Sequence, residues 1–202
     1  MSTKPGRSKS GGVTLIELVV FIVIVGVAMA GLFAAFNTIT AASADPQVRK
    51  QVLAIAESLM DEVQLMPFTF CDPDDANAAD ATGPGIGGGG CATTSEDTAM
   101  GPEGVCPGVT CETRYGSPKF DNVSDYNGFS MSSGIQDITN ATIAGLSAYS
   151  ASVTVSQAGL GAAPNAISSS EALRISITVT GPGSVSITLE GYRTRYAPNS
   201  LP

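Results

Sequence analysis

Histidine is absent from this 202-residue chain, and basic residues are scarce, with 10 Lys and Arg against 18 Asp and Glu. The first absence removes the side chain most used as a general base near neutral pH and the commonest nitrogen ligand of transition metals. No Gly-x-Ser-x-Gly nucleophile motif is present either. The sequence therefore predicts no enzyme, no catalytic residue and no cofactor. There are four cysteines, Cys71, Cys91, Cys106 and Cys111, separated by 19, 14 and 4 residues. These intervals lack the paired close knuckles of a zinc ribbon, so no metal is expected on them. The shortage of positive charge bears on partners: an acidic surface repels a phosphate backbone, and no nucleic acid is expected. No internal repeat is visible, and the length suits one soluble domain beside any membrane segment.

What charge there is near the start is distributed unevenly. Residues 1–12 carry Lys4, Arg7 and Lys9 with no acid, and Leu18 to Phe36 are nineteen residues with no charge. That apolar run is close to the ~20 residues needed to span a bilayer as a helix, and flanking cations are retained on the cytoplasmic side. The rest of the chain then faces outward. Gly26 and Gly31, with Ala28 and Ala30 between them, provide a strip of small residues on which another helix can approach closely. Secretory signal peptides are cut after their apolar stretch, whereas here the glycine pair suited to a peptidase, Gly11-Gly12, stands before it. Cleavage there leaves the apolar segment in place and frees an ammonium on Val13, four positions from Glu17. A carboxylate near the head of a membrane helix costs up to about 2.5–3.5 kcal/mol at the bilayer centre. A cation offsets that cost, and the amine of an incoming copy meeting Glu17 of its neighbour would set the axial register.

Gly11-Gly12-Val13-Thr14-Leu15-Ile16-Glu17 followed by the uncharged run resembles the class III signal of type IV prepilins. The resemblance implies removal of residues 1–12 by a prepilin peptidase, with cleavage between Gly12 and Val13, N-methylation of Val13 and an assembly role for Glu17. One departure is Val13, where prepilins usually carry phenylalanine. Beyond the 13–40 membrane and assembly helix, Asp45-Pro46 predicts a kink or a fresh helix start, since Asp caps and Pro suits the first helical position. Val48, Val52, Ile55, Leu59, Val63 and Met66 then recur at three and four, which makes 41–67 an amphipathic helix, ended by Pro67.

Residues 68–113 hold all four cysteines and Gly83-Pro-Gly-Ile-Gly-Gly-Gly-Gly90, so regular structure is not expected there. An exported domain meets an oxidising compartment, and two disulfides are expected. Three connectivities are open, with neighbouring pairs, Cys71 to Cys91 and Cys106 to Cys111, favoured because they close the shorter loops. Asp72, Asp74, Asp75 and Asp80 read as a solvated acidic loop, because the glycine and distal glutamate of an EF-hand are not at the required offsets.

After that loop the period changes to two. Ser152 to Ser156, Leu173 to Thr180 and Ser184 to Glu190 read as strands, with Leu173, Ile175, Ile177 and Val179 on one face and Val185, Ile187 and Leu189 on one face. Thr180-Gly-Pro-Gly183 turns the last two into an antiparallel hairpin. The expected fold is α+β: a long N-terminal helix whose outer half packs on an antiparallel sheet within 149–196, with a disulfide-held glycine-rich loop, all of 68–202 forming the globular domain.

Several phrases narrow the resemblance. Gln51 to Glu62, Met66 to Asp75, Phe120 to Gly128 and Leu189 to Tyr196 are similar to segments of the MshD minor-pilin family of mannose-sensitive haemagglutinin pili. The resemblance implies a structural subunit, anchored in the bacterial inner membrane with its globular domain periplasmic, then part of a cell-surface pilus serving attachment or motility. Its implied partners are other pilins of the filament, the prepilin peptidase, the inner-membrane assembly platform, and the membrane itself before assembly. A type II secretion pseudopilin shares the signal, helix and sheet, and an adhesin acting through the acidic loop is a further alternative.

Overall fold

A computed structural model of the chain describes residues 11–97, 100–104 and 111–199, and within them the backbone alone for residues 38–45. Helix α1 is Leu15–Leu65, with Pro46 inside it. Contacts divide the chain into two units, Met1–Pro46 and Gln47–Pro202.

In the first unit the helix is apolar on every face. Leu15–Asn37 is a 23-residue span of mean hydropathy 2.9, long and apolar enough to cross a membrane, and none of it is buried within the protein. Leu18, Phe21, Ile22, Val27, Leu32 and Phe33 all expose at least half their surface. A helix hydrophobic all round is covered by lipid or by other helices, because water is a poor solvent for every side of it.

In the second unit the helical residues up to Leu65 carry a one-sided stripe. Val52, Ile55, Ala56, Leu59, Met60 and Val63 are buried, while Arg49, Lys50, Glu57 and Asp61 stay exposed. A last turn, in which Met66 N–H donates to the Val63 carbonyl at 3.2 Å, leads into Pro67. The stripe packs on a four-stranded antiparallel meander of β1 (Ser130–Met131), β2 (Ser150–Gln157), β3 (Ala172–Thr180) and β4 (Ser186–Thr194), ordered β1-β2-β3-β4. Register places Val153 opposite Ile177 and Val155 opposite Ile175. Ile177 in turn lies opposite Leu189. The predicted inward face of β3 is fully enclosed: Leu173, Ile175, Ile177 and Val179 are each 0% exposed. Val185, just before β4, and Ile187 and Leu189 within it are only half-buried, because β4 is an edge strand of the sheet. The β1 strand is an addition to the three predicted.

Helix and sheet approach closely at two glycines, Gly191 in β4, where a Cβ would lie 2.8 Å from Met60 Sδ, and Gly181 in the β3–β4 turn. A Cβ on Gly181 would lie 2.9 Å from Val52 Cγ2 and 2.9 Å from Tyr149 Cε1, so glycine there admits both neighbours. Aromatic residues from the connecting loops close the core, with Phe120 and Tyr126 edge to face at 4.9 Å.

Glu62, one position before the buried Val63, fastens the helix to those loops. Arg114 donates from Nε to Glu62 Oε1 at 2.6 Å and from Nη2 to Oε2 at 2.7 Å, and the Tyr126 hydroxyl donates to Oε1 at 2.8 Å. Arg114 Nη1 also reaches the carbonyls of Gln136 and Asp137. Burial opposes ionisation of Glu62, but these hydrogen bonds and the charge of Arg114 outweigh it and hold the carboxyl below its ordinary value. Arg195 is tied similarly: it pairs with Asp97 and Glu171 and lies over the Phe68 ring at 3.9 Å, a cation–π contact in a desolvated setting.

Candidate functional site

Two regions bear on function: the head of the apolar helix, and the loops from Phe70 to Asp125. At the helix head, Gly12 and Val13 are exposed and precede α1, which begins at Leu15. Thr14 stands in the capping position: Glu17 N–H donates to Thr14 Oγ1 at 3.4 Å, and Leu18 N–H donates to the Thr14 carbonyl at 3.1 Å. Thr14-x-x-Glu17 is thus a capping-box sequence, and an acid in the first turn also suits the helix dipole. In the uncleaved chain Val13 lies before the helix, which Thr14 caps. A mature amine on Val13 would stand beside the free N–H groups of the first turn, two residues ahead of Leu15. The small residues Gly26 and Gly31 have no other atom within 4 Å of a Cβ position, so their strip is open to a neighbouring helix.

The loop region is irregular, as expected, with isolated bridges in place of strands. Cys71 and Cys91 form a disulfide of Cα separation 5.4 Å, enclosed with Ala78 and Ala81 in a small core of its own. The second expected bridge involves Cys106, which lies outside the described residues. The glycine run wraps Cys91: its N–H donates to the Gly85 carbonyl at 2.8 Å and its carbonyl accepts from Gly87 N–H at 2.8 Å. A Cβ on Gly90 would fall 1.9 Å from the Gly85 carbonyl oxygen, so no other residue fits that crossing.

The acids of this loop are not all solvated. Asp74 and Asp80 are exposed, but Asp72 and Asp75 are buried. Asp75 organises the loop: Oδ1 accepts from Asn77 and Ala92 N–H, and Oδ2 from Thr93 N–H, Thr93 Oγ1 and Thr94 N–H, all between 2.7 and 3.1 Å. Desolvation works against its charge, and those donors overcome it, holding the carboxyl well below the usual range.

Beside it lies a feature with no sequence signature. Asp72, Glu112 and Asp121 bring carboxylate oxygens within 4.8 Å of one another, and Glu96, Glu103 and Asp125 do the same. The two groups adjoin, since Glu112 N–H donates to the Glu103 carbonyl at 3.1 Å. Asp125 Oδ2 accepts from Asp121 and Asn122 N–H at 2.9 and 2.7 Å, and Ser124 donates its hydroxyl to Glu96 Oε2. Burial first, and then repulsion by neighbouring carboxylates (for Asp72 by Asp74 and Asp75), raises all six carboxyls above their ordinary values, Asp121 to about 8. Arg114 pairs with Glu62 and Arg195 with Asp97 and Glu171, and the charges that act on these six acids are carboxylates, Asp74 and Asp75 among them.

Residues 7–33 match the family described as the prokaryotic N-terminal methylation motif. That match takes in Gly11-Gly12, Val13 and Glu17 and, with the exposed apolar helix, supports a protein of the type IV prepilin-like superfamily, pilin or pseudopilin. Such proteins are structural rather than enzymatic, are processed by a prepilin peptidase and assemble with other pilins, and the apolar helix points to membrane anchoring before assembly. Comparisons with curated proteins and with solved structures found no match to this chain.

Proposed function

We propose that this chain is a minor pilin-like subunit of a type IV pilus of the mannose-sensitive haemagglutinin kind. In this reading a prepilin peptidase cuts between Gly12 and Val13, and Val13 is N-methylated. The product waits in the inner membrane with its globular domain in the periplasm. The assembly platform then inserts it into the filament among other pilins, or uses it to prime one, and attachment or motility at the cell surface follows. The observation that carries the reading is the coincidence of the methylation motif over residues 7–33 with a 23-residue apolar helix exposed on all sides. Association is noncovalent: packing of apolar helices supplies contact, and the Val13 amine of one subunit meeting Glu17 of another supplies register.

Thr14 and Glu17 permit a test that separates charge from helix capping. Glu17→Gln keeps the capping-box shape and removes the charge, whereas Thr14→Ala weakens the cap by about 1 kcal/mol and keeps the charge. Mass spectrometry of the N-terminus and recovery of the chain in sheared filaments are read for each. Expected is a methylated Val13 start in all three proteins, with filament incorporation lost in Glu17→Gln and kept in Thr14→Ala. Normal incorporation of Glu17→Gln would overturn the pairing. Co-purification with a secretion apparatus rather than with filaments would replace the pilus by a pseudopilus.

A further inference from the structure

Six acids concentrated in one place are not in themselves a binding site, since carboxylates often gather on surfaces with nothing bound. What distinguishes this group is enclosure. Glu96 and Asp125 are each 0% exposed. Glu96 Oε2 is taken by the Ser124 hydroxyl, but Oε1 is buried and has no hydrogen-bond donor among the described residues. Asp125 is hydrogen-bonded to the Glu103 carboxyl, one acid against another. A buried carboxylate oxygen without a donor is costly, and Glu96 stands among further acids, Asp125, Asp72 and Asp121.

We infer that Glu96, Glu103 and Asp125 form a binding site for one calcium ion, with Asp72, Glu112 and Asp121 supplying an adjoining negative field. The donor set consists of oxygens alone, without histidine or cysteine, which suits a hard cation. Calcium–oxygen bonds are about 2.3–2.6 Å long, so two ligands on opposite sides of one ion stand about 5 Å apart. The three oxygens lie within 4.8 Å of one another, which lets a single ion touch all three. Calcium rather than magnesium is assigned because calcium accepts irregular sets of carboxylates and sheds its waters, whereas magnesium demands near-ideal octahedral geometry and keeps several waters. Glu96 and Asp125 are both fully enclosed, which favours the ion that sheds its water.

The consequence would be mechanical. Glu96 follows the disulfide loop, Glu103 precedes Glu112, and Asp125 lies in the short turn Ser124–Tyr126 whose tyrosine is in the main core. An ion there would fasten three otherwise repelling segments to the sheet-and-helix body. The sequence-based expectation of no metal rested on cysteine spacing and on the EF-hand offsets around Asp72, Asp74, Asp75 and Asp80, and none of those residues is among the three ligands.

The test uses the full-length chain in detergent, stripped with EDTA and dialysed, with thermal unfolding followed through tyrosine and bound metal counted by elemental analysis. Expected is one calcium retained per chain and, at a hundredfold excess over the dissociation constant, a Tm raised by about 5–10 °C, with little response to the same magnesium concentration. Glu96→Gln removes one charge from a repelling group, so the stripped variant should unfold at or above the stripped wild type. Its calcium affinity should fall at least tenfold. No retained calcium with an unchanged Tm would overturn the site, as would unchanged affinity in Glu96→Gln. An equal gain from magnesium would overturn the assignment to calcium.

Discussion

Replacing Glu62 with glutamine tests whether one ion pair holds the helix to the loops of the globular unit. The pair is enclosed, with 6% of the Arg114 side chain and 18% of the Glu62 side chain exposed, and both guanidinium nitrogens facing Glu62 donate to it. Removing one partner of such a pair costs about 3–5 kcal/mol, mostly because the remaining charge is left buried without compensation. Arg114 would keep the Tyr115 hydroxyl and two backbone carbonyls, which places the expected cost near the lower end, about 3 kcal/mol. For a unit of this size that lowers Tm by roughly 6–12 °C. Near-UV circular dichroism is the appropriate readout, since all five tyrosines lie at or after Tyr115 and the apolar helix has none. The pH dependence has a definite sign. Because the folded-state carboxyl of Glu62 is held below its ordinary value, its contribution is present above the unfolded value and is lost as pH falls through the folded one. The variant should lack that part of the acid limb. The double variant Glu62→Leu/Arg114→Met should recover much of the loss, since an apolar pair leaves no buried charge. Single variants that each cost under about 1 kcal/mol, as a solvent-screened surface pair would, refute the reasoning.

Three further outcomes follow from the packing and the loop. Gly181→Ala should lose about 1–2 kcal/mol in urea unfolding, overpacking against Val52 and Tyr149 exceeding the gain from a stiffer unfolded chain. No loss would mean that helix and sheet are not in close contact there. Asp75→Asn should make the loop more open to amide hydrogen exchange at neutral pH. In the wild type the same opening should appear only in strong acid, because a depressed carboxyl stabilises above its unfolded value and fails as pH falls through its folded one. Reduction of Cys71–Cys91, whose residues are 20 apart in sequence, should cost about 3 kcal/mol by loop entropy, read as faster proteolysis within residues 72–90 while the tyrosine signal of the sheet body persists.

Local periodicity made part of this structure legible. Spacings of three and four placed Val52, Ile55, Leu59 and Val63 in the core, and alternation placed Leu173 through Val179, because side-chain direction follows directly from the helical and strand repeats. The neighbouring Cys71–Cys91 bridge was favoured for its short loop, and that bridge is present. Alternation could not show that β4 is only half-covered, since burial depends on where the helix lies. The β1 strand, two residues long, is too short to carry a period. Glu62 looked like any exposed helical acid, because its partner Arg114 is 52 residues away. The carboxylate cluster was invisible for the same reason: Glu96 and Ser124 are 28 residues apart, and nothing in either segment marks the other. The exposed pair Asp74 and Asp80 fits the solvated loop, while Asp72 and Asp75 were misread because only the fold supplies their neighbours.

The cysteine-held loop is fastened by residues far along the chain. Phe70 N–H donates to the Pro198 carbonyl at 3.1 Å, and the Asn199 carboxamide donates to the carbonyls of Ala78 and Ala81, each at 3.0 Å. The Cys71–Cys91 bond joins residues only 20 apart, whereas the clasp needs a residue 121 and 118 positions from its partners. Cross-linking and clasping are therefore separable in principle: a chain cut before Pro198 keeps both cysteines and loses the three hydrogen bonds that tie the loop to residues 198 and 199.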